Sequence, residues 1–438
     1  GTADVSVVAL DIKTGQKLWD SIIAPSPPST ARQHTLRSAP LVVGDKVIQG
    51  VNGMNAPGGN YIVGMDVNTG KELWRFHTIA RPGQPGGDSW NDLPLDKRSG
   101  GSVWHQGSYD EESGLVYFGV SQTYDTRVLA QAPVRAGVTT DALYTDSTVA
   151  LDPKTGNLVW HYQHLKNDQW DMDWVFERTV ANVRVNGRNR RAVMTIGKIG
   201  ILDAVDAKTG QYLFSVDTGV QNFITGIDPV TGEKRIDPTK LPDTTKTSLI
   251  CPTASGARSW PTTSFSARTN MVYVPVTEWC MTMGPEGRQL MTAPGSALAM
   301  ANHPEAISDK MQGRLTALDL SGKKIAWKHD LLAPLSSAVL TTGSGLAFVI
   351  DLKPNLMAFD DRDGKLLWTQ PLDNIATSAI ITYSVGAKQY LAVVTGQRNN
   401  YSGDLTRSQT LFRQTTGMPA VTPPSGQPAI QVFALPSR

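Results

Sequence analysis

Short apolar runs separated by Gly, Asp, Asn and Thr fill nearly the whole chain. "VSVVALD", "APLVVGDKVIQGV", "GLVYFGVS", "RAVMTIGKIGILD", "NMVYVPVTE", "SGLAFVIDL" and "QYLAVVTG" are rich in β-branched residues and bounded by turn formers, which predicts strands. Helical periodicity is weak, apart from short pieces near 304–312. One pattern, A-x-D-x-x-T-G-x-x-x-W, recurs as "ALDIKTGQKLW" (Ala9 to Trp19), "GMDVNTGKELW" (Gly64 to Trp74), "ALDPKTGNLVW" (Ala150 to Trp160), "AVDAKTGQYLF" (Ala204 to Phe214), "ALDLSGKKIAW" (Ala317 to Trp327) and "AFDDRDGKLLW" (Ala358 to Trp368). Each copy reads as strand, tight turn, strand. A hairpin repeated with two further strands per unit predicts an all-β fold, a β-propeller of four-stranded blades in which radial repetition protects the strand edges. Spacing stretches between Asp66 and Asp152 and between Asp206 and Asp319, predicting insertions or a degenerate blade. "RSWPTTSFSARTNMVYVPVTEW" (Arg258 to Trp279) reads as that blade, so about seven blades are visible. The motif tryptophans are expected to pack between blades.

The repeats assign the 438 residues to a single domain, 1–438, where length alone would allow two or three. A formal charge of +2 and the lack of a basic stripe interleaved with aromatics exclude nucleic acid as a partner. No apolar run reaches the roughly 18 to 20 residues of a transmembrane segment. The opening "GTADVSVVALD" has no charged leader, so the chain reads as soluble and either mature or truncated. Cys251 and Cys280 are the only cysteines. Without a C-x-x-C-H or paired C-x-x-C they build neither a covalent haem nor a thiolate zinc site, which leaves a disulfide or two buried thiols.

The densest chemistry lies in "NDQWDMDW", residues 167–174, where Asp168, Asp171 and Asp173 crowd between two tryptophans. In extended backbone Asp171 and Asp173 face the same side, and two carboxylates that close share a proton or a cation. Asp168 reads as a turn cap.

These repeats, the W-D loop, "SGGSVWHQGSYDEESGLVYFGVS" and the terminal "IQVFALP" resemble the pyrroloquinoline quinone (PQQ) dependent alcohol dehydrogenases, eight-bladed quinoproteins typified by methanol dehydrogenase. The resemblance implies that Asp171 is both metal contact and general base, and that Asp173 matches the extra aspartate of lanthanide-using members. Trp104 takes the place of the tryptophan beneath the planar cofactor, with Ser102 as a cofactor-bonding hydroxyl, and Lys198 that of the cation beside the quinone oxygens. Ser259 and Trp260 stand where relatives present groups toward the quinone, and Arg37 stands where relatives keep a threonine and could pair with a cofactor carboxylate. Asn55 replaces a metal-binding glutamate and Gln122 a metal-binding asparagine. Both keep a carbonyl oxygen for a hard cation, calcium or a lanthanide, and the first removes a charge that Asp173 could restore. Cys251 and Cys280 resemble a structural disulfide of the family, which favours the periplasm. The family's adjacent-cysteine ring is absent, and the chain reads as starting inside the second blade, with the N-terminal blade missing.

The function implied is oxidation of an alcohol to an aldehyde or ketone, with electrons passed to a separate soluble cytochrome c. Residues 281–313, rich in Met and Ala, read as an irregular insertion roofing the pocket for an alcohol larger than methanol. The rival is a non-catalytic propeller acting as a protein-binding scaffold, since fold does not determine function. Clustered Asp171 and Asp173 beside Trp104 and Lys198 argue against it.

Overall fold

In each repeat the small residue at the head of the motif pairs across the hairpin with the aromatic at its tail. Ala9 faces Trp19, Gly64 faces Trp74, Ala150 faces Trp160, Ala204 faces Phe214, Ala317 faces Trp327 and Ala358 faces Trp368, with a register shift directly after each pair. The turn is closed by its aspartate. Asp11 Oδ1 accepts from the amides of Lys13 and Thr14 and from the Thr14 hydroxyl, and Asp66 and Asp206 repeat the arrangement. These bonds satisfy backbone donors that a tight turn would otherwise strand.

The computed structural model describes residues 1–24, 34–124, 126, 128–243, 245–284, 299–303, 312–396, 400–416 and 426–434. Among them are nine sheets; two, a two-stranded sheet at 224–236 and a three-stranded one within 248–303, are insertions, and the other seven follow one another along the chain. Those spanning 41–77, 108–163, 179–217, 264–331 and 340–371 have four antiparallel strands, that at 6–22 has two, and that at 380–434 has three.

Neighbouring sheets are joined by their tryptophans. Trp19 Nε1 donates to Val67 O (2.9 Å), Trp74 Nε1 to Pro153 O (3.0 Å), Trp160 Nε1 to Ala207 O (3.1 Å) and Trp327 Nε1 to Asp361 O (3.2 Å), each acceptor lying in the turn of the next sheet. The indole rests on that turn's glycine. A Cβ on Gly156, at φ +72°, would fall 2.4 Å from the Trp74 ring, so both the left-handed backbone and the indole contact require glycine there. The motif thus encodes a hairpin and its dock on the next one.

Three expectations change. Arg258 to Trp279 is not a blade of its own: Ser264–Ser266 and Met271–Thr277 pair onward to Gly313–Asp319 and Lys324–Leu331, so one blade straddles an insertion. The seventh sheet is instead the C-terminal one. Residues 281–313 are not wholly irregular, because Cys280–Gly284 pairs with Ser248–Ile250 on one side and Ala299–His303 on the other; the helical pieces expected near 304–312 fall almost wholly outside the described residues. A helix over Asn400–Thr416 was not expected. Cys251 and Cys280 are disulfide-bonded. No described helix is long and apolar enough to cross a membrane.

Substituting Gly156→Ala should cost about 2 to 4 kcal/mol, combining left-handed strain with overpacking against Trp74. Gly137→Ala, at φ +79° with open space around the new methyl, should lose only the strain, about 1 to 2 kcal/mol. Urea denaturation of both variants checks this, and equal losses would contradict the docking role.

Candidate active site

Strand ends of two adjacent sheets deliver polar groups to one mouth. Leu115–Gly119 runs out into Ser121 and Gln122, and Ser147–Leu151 begins directly after Asp146. Leu158–Gln163 leads into the 167–174 loop, and Arg188–Ile196 ends two residues before Lys198. Trp170, Met172 and Trp174 are buried in an apolar cluster with Leu165, Ile199 and Phe223. Asp168 holds the loop from within, its two oxygens accepting from Trp170 N (2.8 Å) and Met172 N (2.5 Å), as a turn cap should. Asp171 lies at φ +64°, so it meets Asp173 through a left-handed kink and not through the extended backbone expected.

Lys198 is the hub. Its Nζ lies 3.0 Å from Asp171 Oδ1 and 2.8 Å from Asp173 Oδ2, and its amide donates to Asp173 O at 3.0 Å. Gln122 completes the ring, its backbone amide donating to Asp173 Oδ1 (3.2 Å) and its side-chain nitrogen to Asp171 Oδ1. It therefore presents nitrogen to Asp171, where a carbonyl oxygen was expected. Burial alone would depress the Lys198 ammonium, but Asp171 and Asp173 outweigh it and hold its pKa above the ordinary value. Burial drives Asp171 well above the usual carboxylate range; Lys198 opposes, while Asp173 and Asp168 add to the rise. One lysine does not neutralise the group, and a further cation would.

Trp104 lies deep in the neighbouring wall. Its ring stacks at 4.3 Å and 40° on Trp260, and the edge of Phe176 meets it at 5.2 Å. A flat ring system between the two indoles would need them ~7 Å apart, twice a normal van der Waals spacing. Trp260 itself is 38 % exposed. Ser102 is fully buried, its hydroxyl taken up by Gly53 N and the Asn60 side chain, and Ser259 is buried beside Trp260.

Arg37 and Asn55 are exposed. No hydrogen bond or ion pair among the described residues joins either to the cluster. Nor do three carboxylates or imidazoles form a ready-made metal cage among the described residues; the donors that do meet are two carboxylates and an amide.

Several groups escaped the sequence reading. Glu177 pairs with the buried Arg258, whose guanidinium lies 4.3 Å over Phe176. Asp146 and Tyr124 are buried beside the loop. Beneath it His164 stacks on Trp174 (4.4 Å, 4°) while bonding Asp203 (2.8 Å) and Thr148 (2.7 Å). Lys234 reaches the same Asp203 oxygen at 2.7 Å, from a hairpin over Ile224–Ile227 and Lys234–Ile236 that carries its own aspartate turn at Asp228. "DPVTGEK" is a seventh turn of the repeat type, the one signal that could have exposed this support.

A propeller with a buried cation-and-carboxylate mouth is the class that fold and site define. The family model described as glucose/ethanol/alcohol dehydrogenase, beta-propeller domain, of the PQQ type, matches residues 22–222 and 229–391, and the chain belongs to the PQQ-dependent alcohol dehydrogenase family. It is 27% identical over 456 residues to the quinohemoprotein alcohol dehydrogenase ADH IIB of Pseudomonas putida, covering 98% of this chain and 64% of that protein. It is 28% identical over 449 residues to the 1-butanol dehydrogenase (cytochrome c) of Thauera butanivorans, covering 95% and 62%. The chain thus spans less than two thirds of the length of these relatives. Among solved structures, a europium-containing methanol dehydrogenase superposes with a TM-score of 0.79 at 25% identity, over 95% of this chain and 75% of that one.

Burial holds the His164 imidazole down at about 4, against the pull of Asp203. It is neutral in the folded protein, whereas the unfolded chain takes up the proton near the ordinary 6.5. Its contribution to stability is therefore present above pH 6.5 and is lost as pH falls toward 4. Urea midpoints of wild type and His164→Gln across that window should show a shallower pH slope in the variant; identical slopes would contradict the assignment.

Proposed function

We propose that this propeller binds pyrroloquinoline quinone and one metal ion, calcium or a lanthanide, and oxidises an alcohol to an aldehyde or ketone. The observation that carries the reading is the buried Asp171–Lys198–Asp173–Gln122 ring. An excess of buried carboxylate over lysine suits a multivalent cation, with Asp171 and Asp173 as ligands and Gln122 as a third once its amide turns its oxygen inward. Trp104 suits a planar cofactor on the same terms. When bound, the quinone would supply the hydride acceptor for the carbinol and the ion Lewis-acid polarisation.

The chain's own residues do the rest. Asp171 takes the hydroxyl proton as general base, which requires it to be ionised; in the ion-free ring burial opposes that, so the base depends on the cation. Lys198 is then free to offset negative charge on the cofactor. Trp104 holds the plane from below, and Ser102, Ser259 and Trp260 shape its edge. Arg37 and Asn55 receive no role. The alcohol proposed is apolar and larger than methanol, on the strength of the Met-rich 281–313 segment and the butanol-oxidising relative. A soluble cytochrome c is the proposed acceptor, in keeping with the name of that same relative. The disulfide supports a periplasmic location.

Dye-linked alcohol oxidation by metal-stripped protein should require PQQ together with calcium or lanthanum. Asp171→Asn should lower kcat by at least about a hundredfold with the quinone still retained, the usual scale for a general base. Trp104→Ala should lose the quinone on desalting. No activity and no retained quinone in the wild type would favour the scaffold propeller instead. A kcat/KM for methanol equal to that for bulkier alcohols would contradict the substrate assignment.

A further inference from the structure

We infer that Asp146 is a further carboxylate of the cation site, one that tilts the site toward a trivalent over a divalent ion. The inference rests on the quinone-and-cation reading of the same mouth.

Asp146 stands outside the 167–174 loop, directly before Ser147–Leu151, yet it is wedged between the segments that carry Gln122 and Asp173. Its backbone amide donates to Ser121 O (3.3 Å), one residue before Gln122. Its Oδ1 accepts from Trp174 N (3.1 Å), one residue after Asp173. The Gln122 amide in turn bonds Asp173 Oδ1. The residue is fully buried, and its second oxygen, Oδ2, has no hydrogen-bond partner.

A buried carboxylate oxygen without a donor is costly, and its persistence calls for a missing partner. Other carboxylates of the cluster have donors. Asp168 uses both on Trp170 N and Met172 N, and Asp171 and Asp173 each give one to Lys198. Arg178 lies close by, but its guanidinium bonds the Ser147, Trp174 and Phe176 carbonyls and makes no ion pair with Asp146. Of the four buried carboxylates, only Asp171 and Asp173 are in contact with a lysine, Lys198. Burial first, then Asp168 and Asp173, raise Asp146 well above the usual carboxylate range, consistent with a site short of positive charge. Asp146 does not join a preformed cage, so it acts through its charge beside the ion. That attraction scales with the charge of the ion, so each added carboxylate favours a trivalent ion more than a divalent one.

Asp146→Asn tests this, because asparagine keeps both the volume and an oxygen for Trp174 N. The full chain, metal-free, is titrated with TbCl3, following terbium emission sensitised by Trp170 and Trp174, and then with CaCl2 in competition. The expected result is a loss of terbium affinity of about tenfold or more and a clearly smaller loss for calcium. Metal-free Asp146→Asn should also melt higher than wild type, while gaining less from terbium. If Asp146→Asn binds both ions as wild type does, while Asp173→Asn weakens terbium, the role of Asp146 is overturned and the cation reading stands. No binding of either ion by wild type overturns both. Should the asparagine variant misfold, Asp146→Ser is read by the same titration.

Discussion

The indole of a motif tryptophan lies flat against the turn glycine of the next sheet and bonds a turn carbonyl there, and the geometry of the mouth depends on that dock. It sets the angle between one sheet and the next, and thereby which strand ends meet. Gln122 and Asp171 leave one sheet and Lys198 leaves the next; Trp160 clamps those two sheets, and Trp74 clamps the preceding sheet to the first of them. Side chains distant in sequence come within 3 Å of one another because small residues and tryptophans recur at fixed offsets.

The mouth is held in a charge-poor state of balance. Burial raises the cost of every unpaired carboxylate, yet Asp146, Asp168, Asp171 and Asp173 are all buried and only Asp171 and Asp173 pair with a lysine. Lys198 bridges Asp171 and Asp173; in the proposed function a multivalent ion takes that place, and without it burial leaves Asp171 a poor base. Support comes from below, where His164 stacks on the Trp174 indole and Lys234 lies over it, both bonded to Asp203.

Local chemistry was legible in the sequence, and non-local pairing was not. Aspartate turns, docking tryptophans and alternating strands are written within a dozen residues, so the propeller and its repeats could be read directly. The sheet over 264–331 was misplaced because its second strand, Met271–Thr277, finds its partner Gly313–Asp319 only across an insertion. The Asn400–Thr416 helix carries a glycine, several threonines and few apolar residues, leaving no clear stripe to detect. In the site, Asp171 and Asp173 stood out because they share one loop, and Lys198, Trp104 and Gln122 followed from family resemblance. Asp146 looks like any polar residue ahead of a buried strand; only the folded chain places it beside Trp174. Arg37 and Asn55 matched family positions in sequence; both are exposed and bond none of the cluster.

The most direct measurement is a crystal structure of the protein soaked with PQQ and a lanthanide, located by its anomalous scattering. An ion bound by Asp171 and Asp173, with Lys198 released from both and Trp260 lifted from Trp104, is the expected result. An anomalous map empty at this mouth, with Lys198 still bridging the two aspartates and the indoles still stacked, would contradict the assignment.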